Sequence, residues 1–231
     1  MENDRNMLKQ KARAYVRPLV EKLDQLGVSP LAVSLAGIAV CVLAGWIVAK
    51  GHLLFGALVF LIGSAFDMLD GDLARLQGTV SKRGAFFDSC FDRLGESALF
   101  AGMTWYYIVH QPGNWQLATL MIVLTVAGSL TTSYVRARAE GVGETCFVGL
   151  LQRPERVILL TAGMILGHYV LTLVLVVLAA LTNATTVQRI VHVAGKLPGA
   201  EPVTRVDTEL SADSDPPVEP GAADTEPEEP S

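Results

Sequence analysis

Residues 67–92 read DMLDGDLARLQGTVSKRGAFFDSCFD and hold the side chains best suited to chemistry. Asp67 and Asp70 are three apart, and Asp88 and Asp92 are four apart. On a helix each pair shares one face. The first pair closes an apolar run and the second opens another, so two adjacent antiparallel helices would bring all four carboxylates together. Four such groups at membrane depth repel one another and are costly to ionise. Cations resolve that conflict, and an all-oxygen donor set suits hard divalent ions such as Mg²⁺, Mn²⁺ or Ca²⁺ rather than zinc. Metal ions held by carboxylates serve reactions at phosphorus, where they neutralise phosphate charge and polarise the breaking bond.

The neighbours extend that chemistry. Gly71 and Ala74 are small and lie one turn from the aspartates, which lets a bulky substrate approach the helix backbone. Arg75 can grip a phosphate with its planar fork. Ser81 and Gly84 fall in the connecting segment, where hydroxyl and backbone donors can meet a nucleotide. Taken singly, each is an ordinary polar or small residue between two helices; the fixed offsets carry the argument. A second cluster is basic. Arg136 and Arg138 end the fourth apolar run, Arg153 and Arg156 open the fifth, and Arg189 lies late in the sixth. Pro154 suits a helix N-terminus. Several guanidinium groups converging on one place fit an acceptor that carries its own phosphate. Plain positive flanking of membrane spans competes with that reading.

These residues must be positioned by helices that cross a membrane. The 231 residues are 51% apolar yet 18% charged, with a mean hydropathy of +0.39, so charge and apolarity are segregated along the chain. Residues 31–49 form 19 positions without Asp, Glu, Lys or Arg. Further runs cover 51–66, about 94–109 (broken by Glu96), 115–135 and 157–188. The last has 32 residues, roughly 48 Å as one helix, too long for one upright span and short for two. Gly163, Gly167 and His168 offer a break, which leaves five or six crossings open. Arg75, Lys82, Arg83, Arg136, Arg138, Arg153 and Arg156 crowd alternate loops, which orients those loops and the N-terminus to the cytoplasm.

The ends differ from the middle. Residues 1–28 read as a basic juxtamembrane amphipathic helix, with Leu19, Leu23 and Leu26 on its apolar face, lying on an anionic surface or packing over a loop. They hold no apolar segment ahead of a small-residue cleavage site, so the run from Leu31 is expected to direct insertion. Residues 198–231 are acidic and Pro-rich, and are expected to be a disordered tail. Residues 201–231 carry ten Asp/Glu against one Arg, so the net charge of −5 hides a basic membrane part, 29–197. Cys41, Cys90 and Cys146 match neither a disulfide framework nor a zinc pattern.

The aspartate stretch resembles the signature of the CDP-alcohol phosphatidyltransferase family, D-x-x-D-G-x-x-A-R, eight residues, G-x-x-x-D-x-x-x-D. Asp67, Asp70, Gly71, Ala74, Arg75, Gly84, Asp88 and Asp92 keep every spacing. The resemblance implies an all-α polytopic fold with six transmembrane helices, a homodimer, and a metal site at Asp67, Asp70, Asp88 and Asp92. The ion would be Mg²⁺ or Mn²⁺, with Asp92 as general base. It implies that CDP-diacylglycerol sits near Gly71, Ala74, Arg75, Ser81 and Gly84, with contacts from Pro30 and Ser34; Leu31 stands where members carry a polar residue. The segments around Arg136–Arg138 and Arg153–Arg156 are similar to those of bacterial members that use inositol 1-phosphate, which implies that product and CMP. Members acting on glycerol 3-phosphate are the alternative. The resemblance further implies an enzyme of the cell membrane, its active site facing the cytoplasm, with lipids and a phosphorylated polyol as partners and no nucleic acid. A metal or ion transporter would spread its acidic residues across the bilayer, whereas these gather at one edge. A membrane anchor acting through its tail leaves the aspartate spacing unexplained.

Overall fold

The computed structural model describes residues 16–146, 148–149, 151 and 153–197. The chain divides into two compact units, Met1–Ala194 and Gly195–Ser231. Everything below concerns the first; of the second, only Gly195, Lys196 and Leu197 are described. The tail at 198–231 and the basic residues before Val16 lie outside the described residues.

All regular structure among the described residues is α-helical. A helix over 16–25, α1, precedes α2 (Pro30–Ala49), α3 (Leu53–Leu76), α4 (Lys82–His110), α5 (Trp115–Gly141), α6 (Arg153–Leu166) and α7 (His168–Ala194). Four of these, α2, α3, α5 and α7, are long and apolar enough to cross a membrane. α4 has the length, 29 residues, but its first half carries Lys82, Arg83, Asp88, Asp92, Arg93 and Glu96. α6 has only 14 residues. The break at Gly167 falls where the sequence offers one, and its φ of +97 is a backbone conformation glycine accepts readily.

The apolar runs mark these helices but not their ends. α3 runs on through Asp67, Asp70 and Arg75 to Leu76 because Leu69 and Leu73 keep a buried stripe on the same turns. That stripe packs against Val20 of α1 and Val33 of α2. Val16, Val20 and Leu23 thus turn α1 inward, whereas Leu19 and Leu26, expected on its apolar face, are exposed.

α3 and α4 do not lie side by side along their length; α2 packs against both. Small residues on α2 allow this. A methyl group placed on Gly45 would fall 2.4 Å from the Ala98 carbonyl oxygen of α4, and one on Gly102 would fall 2.0 Å from the Gly45 oxygen. Toward α3, a methyl group on Gly63 would fall 2.7 Å from Cys41 Sγ and 3.1 Å from its backbone nitrogen. Such near-contact of backbones is how helices associate in lipid, where apolar burial gives little drive. α5 and α7 join through hydroxyls instead: Thr132 and Thr186 lie 2.8 Å apart, and Asn183 donates to the Leu124 carbonyl at 3.0 Å. Leu99, Met103, Leu160 and Leu175 fill the centre, while Trp46, Phe55, Leu173 and Val191 face outward.

Candidate active site

Two helix ends build the site. α3 delivers Asp67 and Asp70 in its last turns, and α4 delivers Asp88 and Asp92 in its first. Ser81 caps α4, its hydroxyl accepting from the Gly84 N–H at 3.1 Å. One carboxylate oxygen from each of Asp67, Asp70 and Asp88 lies within 4.8 Å of the others. Three of the four expected carboxylates therefore converge on one point. The fourth, Asp92, lines the same cleft but turns to an arginine: Arg153 Nη2 is 2.6 Å from Asp92 Oδ1, and its Nη1 is 2.7 Å from Asp67 Oδ2. The free volume left in the cleft is about 30 Å³.

The converging oxygens fit a divalent ion. The donor set is all oxygen, it comes from adjoining turns, and concentrated negative charge needs a counter-cation. Mg²⁺ and Mn²⁺ both suit such donors. Ser34, in the first turn of α2, donates its hydroxyl to Asp70 Oδ2 and so reaches the aspartate rather than open solvent. Pro30 begins that turn behind the Ser29 cap.

The other expected ligands are spread around this core. Arg75 is exposed and pairs with Asp72 at 2.7 Å. Gly71 faces that guanidinium, since a methyl group there would lie 3.5 Å from Arg75 Nη2. Ala74 is half-buried beside them, and Ser81 and Gly84 are exposed. Arg136 pairs with Glu140 at 2.9 Å, and Arg138 is exposed. Arg189 donates to the Val148 and Thr132 carbonyls, both at 2.8 Å. Arg156 is 3% exposed, and its Nε and Nη2 bond the two oxygens of Glu96 at 2.9 and 3.1 Å. Those two nitrogens are therefore committed to a buried ion pair instead of facing a ligand.

Glu96 and Arg93 are the residues that motif reasoning passes over. Glu96, on α4, binds Arg156 of α6 and accepts from Ser129 of α5 at 3.2 Å, tying three helices together. Its signal was its position: a lone carboxylate inside an apolar run requires a partner. Arg93 follows Asp92 directly, and no spacing rule singles it out.

The chain is similar to known proteins over most of its length. Residues 28–193 match the CDP-alcohol phosphatidyltransferase family. The chain is 37% identical over 208 residues to a phosphatidylinositol phosphate synthase of Corynebacterium glutamicum, covering 87% of this chain and 94% of the relative. It is 31% identical to an archaetidylinositol phosphate synthase of Methanothermobacter thermautotrophicus, covering 81% and 93%. Among solved structures, phosphatidylinositol phosphate synthase of Mycobacterium tuberculosis with CDP-DAG bound superposes with a TM-score of 0.71 at 29% identity, covering 76% of this chain and 92% of that one. A structure of the same synthase in complex with manganese and citrate gives 0.72 at 29% identity, with 79% and 90% covered.

Proposed function

This chain belongs to the CDP-alcohol phosphatidyltransferase family, and on that premise we propose that it moves the phosphatidyl group of CDP-diacylglycerol to the hydroxyl of inositol 1-phosphate. The observation that carries the reading is the convergence of Asp67, Asp70 and Asp88 beside Asp92. Asp67, Asp70 and Asp88 hold a divalent ion, Mg²⁺ or Mn²⁺. The chemistry supplied by an ion held there is neutralisation of diphosphate charge and polarisation of the phosphorus–oxygen bond.

The chain's own residues do the rest. Gly71, Ala74, Arg75, Ser81 and Gly84 receive the CDP group, and Ser34 steadies Asp70 from α2. Asp92 takes the proton from the acceptor hydroxyl. That oxygen bonds to the phosphorus bearing diacylglycerol, the bond to the CMP oxygen breaks, and CMP departs. Arg153, Arg136, Arg138 and Arg189 meet the acceptor's phosphate, while Arg156 holds α6 against α4 through Glu96. General-base help contributes about 10²–10⁴-fold, so positioning and electrostatics carry the larger share.

The acceptor follows from the arginines and from the relatives whose names specify an inositol phosphate product. The wider arrangement belongs to the same reading. Six spans result if α4, roughly 44 Å long, and the short α6 also cross. Residues 29–197 are then the catalytic domain, between a juxtamembrane amphipathic helix at 1–28 and an acidic tail at 198–231. The chain acts as a homodimer in the plasma membrane, its aspartates facing the cytoplasm, as the positive loops favour.

CMP release from CDP-diacylglycerol tests this with inositol 1-phosphate, glycerol 3-phosphate, free inositol and serine offered separately. Release is expected to be fastest with inositol 1-phosphate and to stop on removal of divalent ions. Preference for glycerol 3-phosphate, or for an unphosphorylated alcohol, would overturn the acceptor assignment.

A further inference from the structure

Two sets of cation-binding contacts overlap on Asp67. One of its oxygens converges with those of Asp70 and Asp88 within 4.8 Å. Its Oδ2 also accepts from Arg153 Nη1 at 2.7 Å, while Nη2 of the same guanidinium reaches Asp92 Oδ1 at 2.6 Å. Arg153 thus bridges a member of the converging cluster and the fourth aspartate of the cleft. Charge-assisted bonds of this length are the strong kind, and a planar fork suits two acceptors at once.

Arg153 is also part of the wall of a cleft with little space in it. The free volume of about 30 Å³ has room for about two water molecules. A phosphate group, with four oxygens around its phosphorus, does not enter such a space. A wall residue must move before a diphosphate reaches the aspartates. The helices themselves are pinned. α2 meets α4 backbone against backbone at Gly45, Ala98 and Gly102. α6 is fixed to α4 by the sealed Arg156–Glu96 pair, three residues after Arg153. Motion therefore falls to the Arg153 side chain, which stands at the first residue of α6 and is 21% exposed. Its long stem has many rotamers to choose from.

Resting on the metal assignment proposed above, we propose that Arg153 is an internal counter-cation that latches the cleft, holding Asp67 and Asp92 and giving up Asp67 to a divalent ion. Ion and guanidinium compete for Asp67, because two cations set against one carboxylate repel each other. While both arms are engaged, Asp92 Oδ1 is covered. With the Asp67 arm released, Asp92 alone holds the guanidinium, which can turn toward the acceptor's phosphate. Loading the ion thereby uncovers the base.

Mn²⁺ titrations of the full-length protein, first stripped of divalent ions and with no substrate added, test the latch. Arg153→Gln is expected to bind Mn²⁺ about tenfold tighter or more than the parent, the scale of one charge-assisted hydrogen bond. Mn²⁺ should also raise the melting temperature of Arg153→Gln by more than it raises the parent's, as tighter binding to the folded state requires. Unchanged or weaker binding would mean that Arg153 holds Asp67 in place for the ion, and overturns the proposal. Arg153→Lys keeps the charge but lacks the two-armed fork, so its affinity should lie between those of the parent and Arg153→Gln. An affinity equal to the parent's in Arg153→Lys overturns the latch, because charge alone would then account for any gain in Arg153→Gln; the same result decides if Arg153→Gln does not fold. If the parent binds no divalent ion, the metal assignment fails and the latch with it, and that is visible before any variant is made.

Discussion

Asp92 and Glu96 stand one turn apart on α4, and each meets an arginine from α6, yet the two pairs do different things. Glu96 and Arg156 are 6% and 3% exposed and hold each other in a closed bidentate pair. Asp92 lines the open cleft, and its pair with Arg153 is shared with Asp67. Removing one member of a sealed pair leaves an uncompensated buried charge; altering the pair beside the cleft changes chemistry instead. Asp92→Asn should therefore keep the fold and lipid binding but cut CMP release by about 10²–10⁴-fold, the scale of a lost general base. Full activity in that variant, measured at matched protein content, would remove Asp92 from the mechanism. The four aspartates were legible because i,i+3 and i,i+4 spacings report a shared helix face directly. Their division into three plus one was not, because Arg153 reaches them from another helix, 86 residues from Asp67. Arg93 was illegible for the same reason: only packing reveals that it stands one turn from Glu96, 4.0 Å from its Oε2.

Among the elements, α2 matters most to the site, though it carries no acidic residue. It wedges between α3 and α4 on Gly37, Cys41 and Gly45, and from that seat Ser34 reaches Asp70. The contact of Gly45 with Gly102 is backbone against backbone and cannot yield by rotating a side chain. Gly102→Val should cost about 1–3 kcal/mol or more, as overpacking does. The check is a lower melting temperature in detergent together with lost activity, because displacing α2 uncouples Ser34 from Asp70. The apolar runs gave the helices from α2 onward and the break at Gly167. They stopped short of the helix ends, since α3 and α4 continue through charged turns whose leucines stay buried. They also suggested that α3 and α4 lie side by side, because hydropathy does not record which small residues face each other across 57 positions, as Gly45 and Gly102 do.

The described residues up to Ala194 form a bundle with an apolar outside and a polar end, as a membrane protein requires. Trp46, Phe55, Leu173 and Val191 point away from the core, and the ionisable groups gather where α3, α4 and α6 meet. Composition made this segregation readable, and the family signature supplied the reaction. Neither reported that the described part of α1 turns Val20 inward onto α3. Residues beyond Ala194 form a separate unit. Ending the chain at Leu197 should leave CMP release at about the full-length rate; a loss of most activity would give the acidic segment a catalytic share. One feature of the bundle reaches furthest. α6 spans roughly 21 Å, and the turn at Gly167 folds it back on an α7 of 27 residues, nearly twice as long. Ahead of α6, the described residues 144–146, 148–149 and 151 are non-helical, with Arg189 donating to the Val148 carbonyl. Such backbone persists in a bilayer only against protein or water. Here it is protein that shelters it: Cys146 is sealed between Ala139 and Val193, and Val148 lies on that plug with its carbonyl held by Arg189, so α5 and α7 act as the hydrocarbon's stand-in for the missing turns.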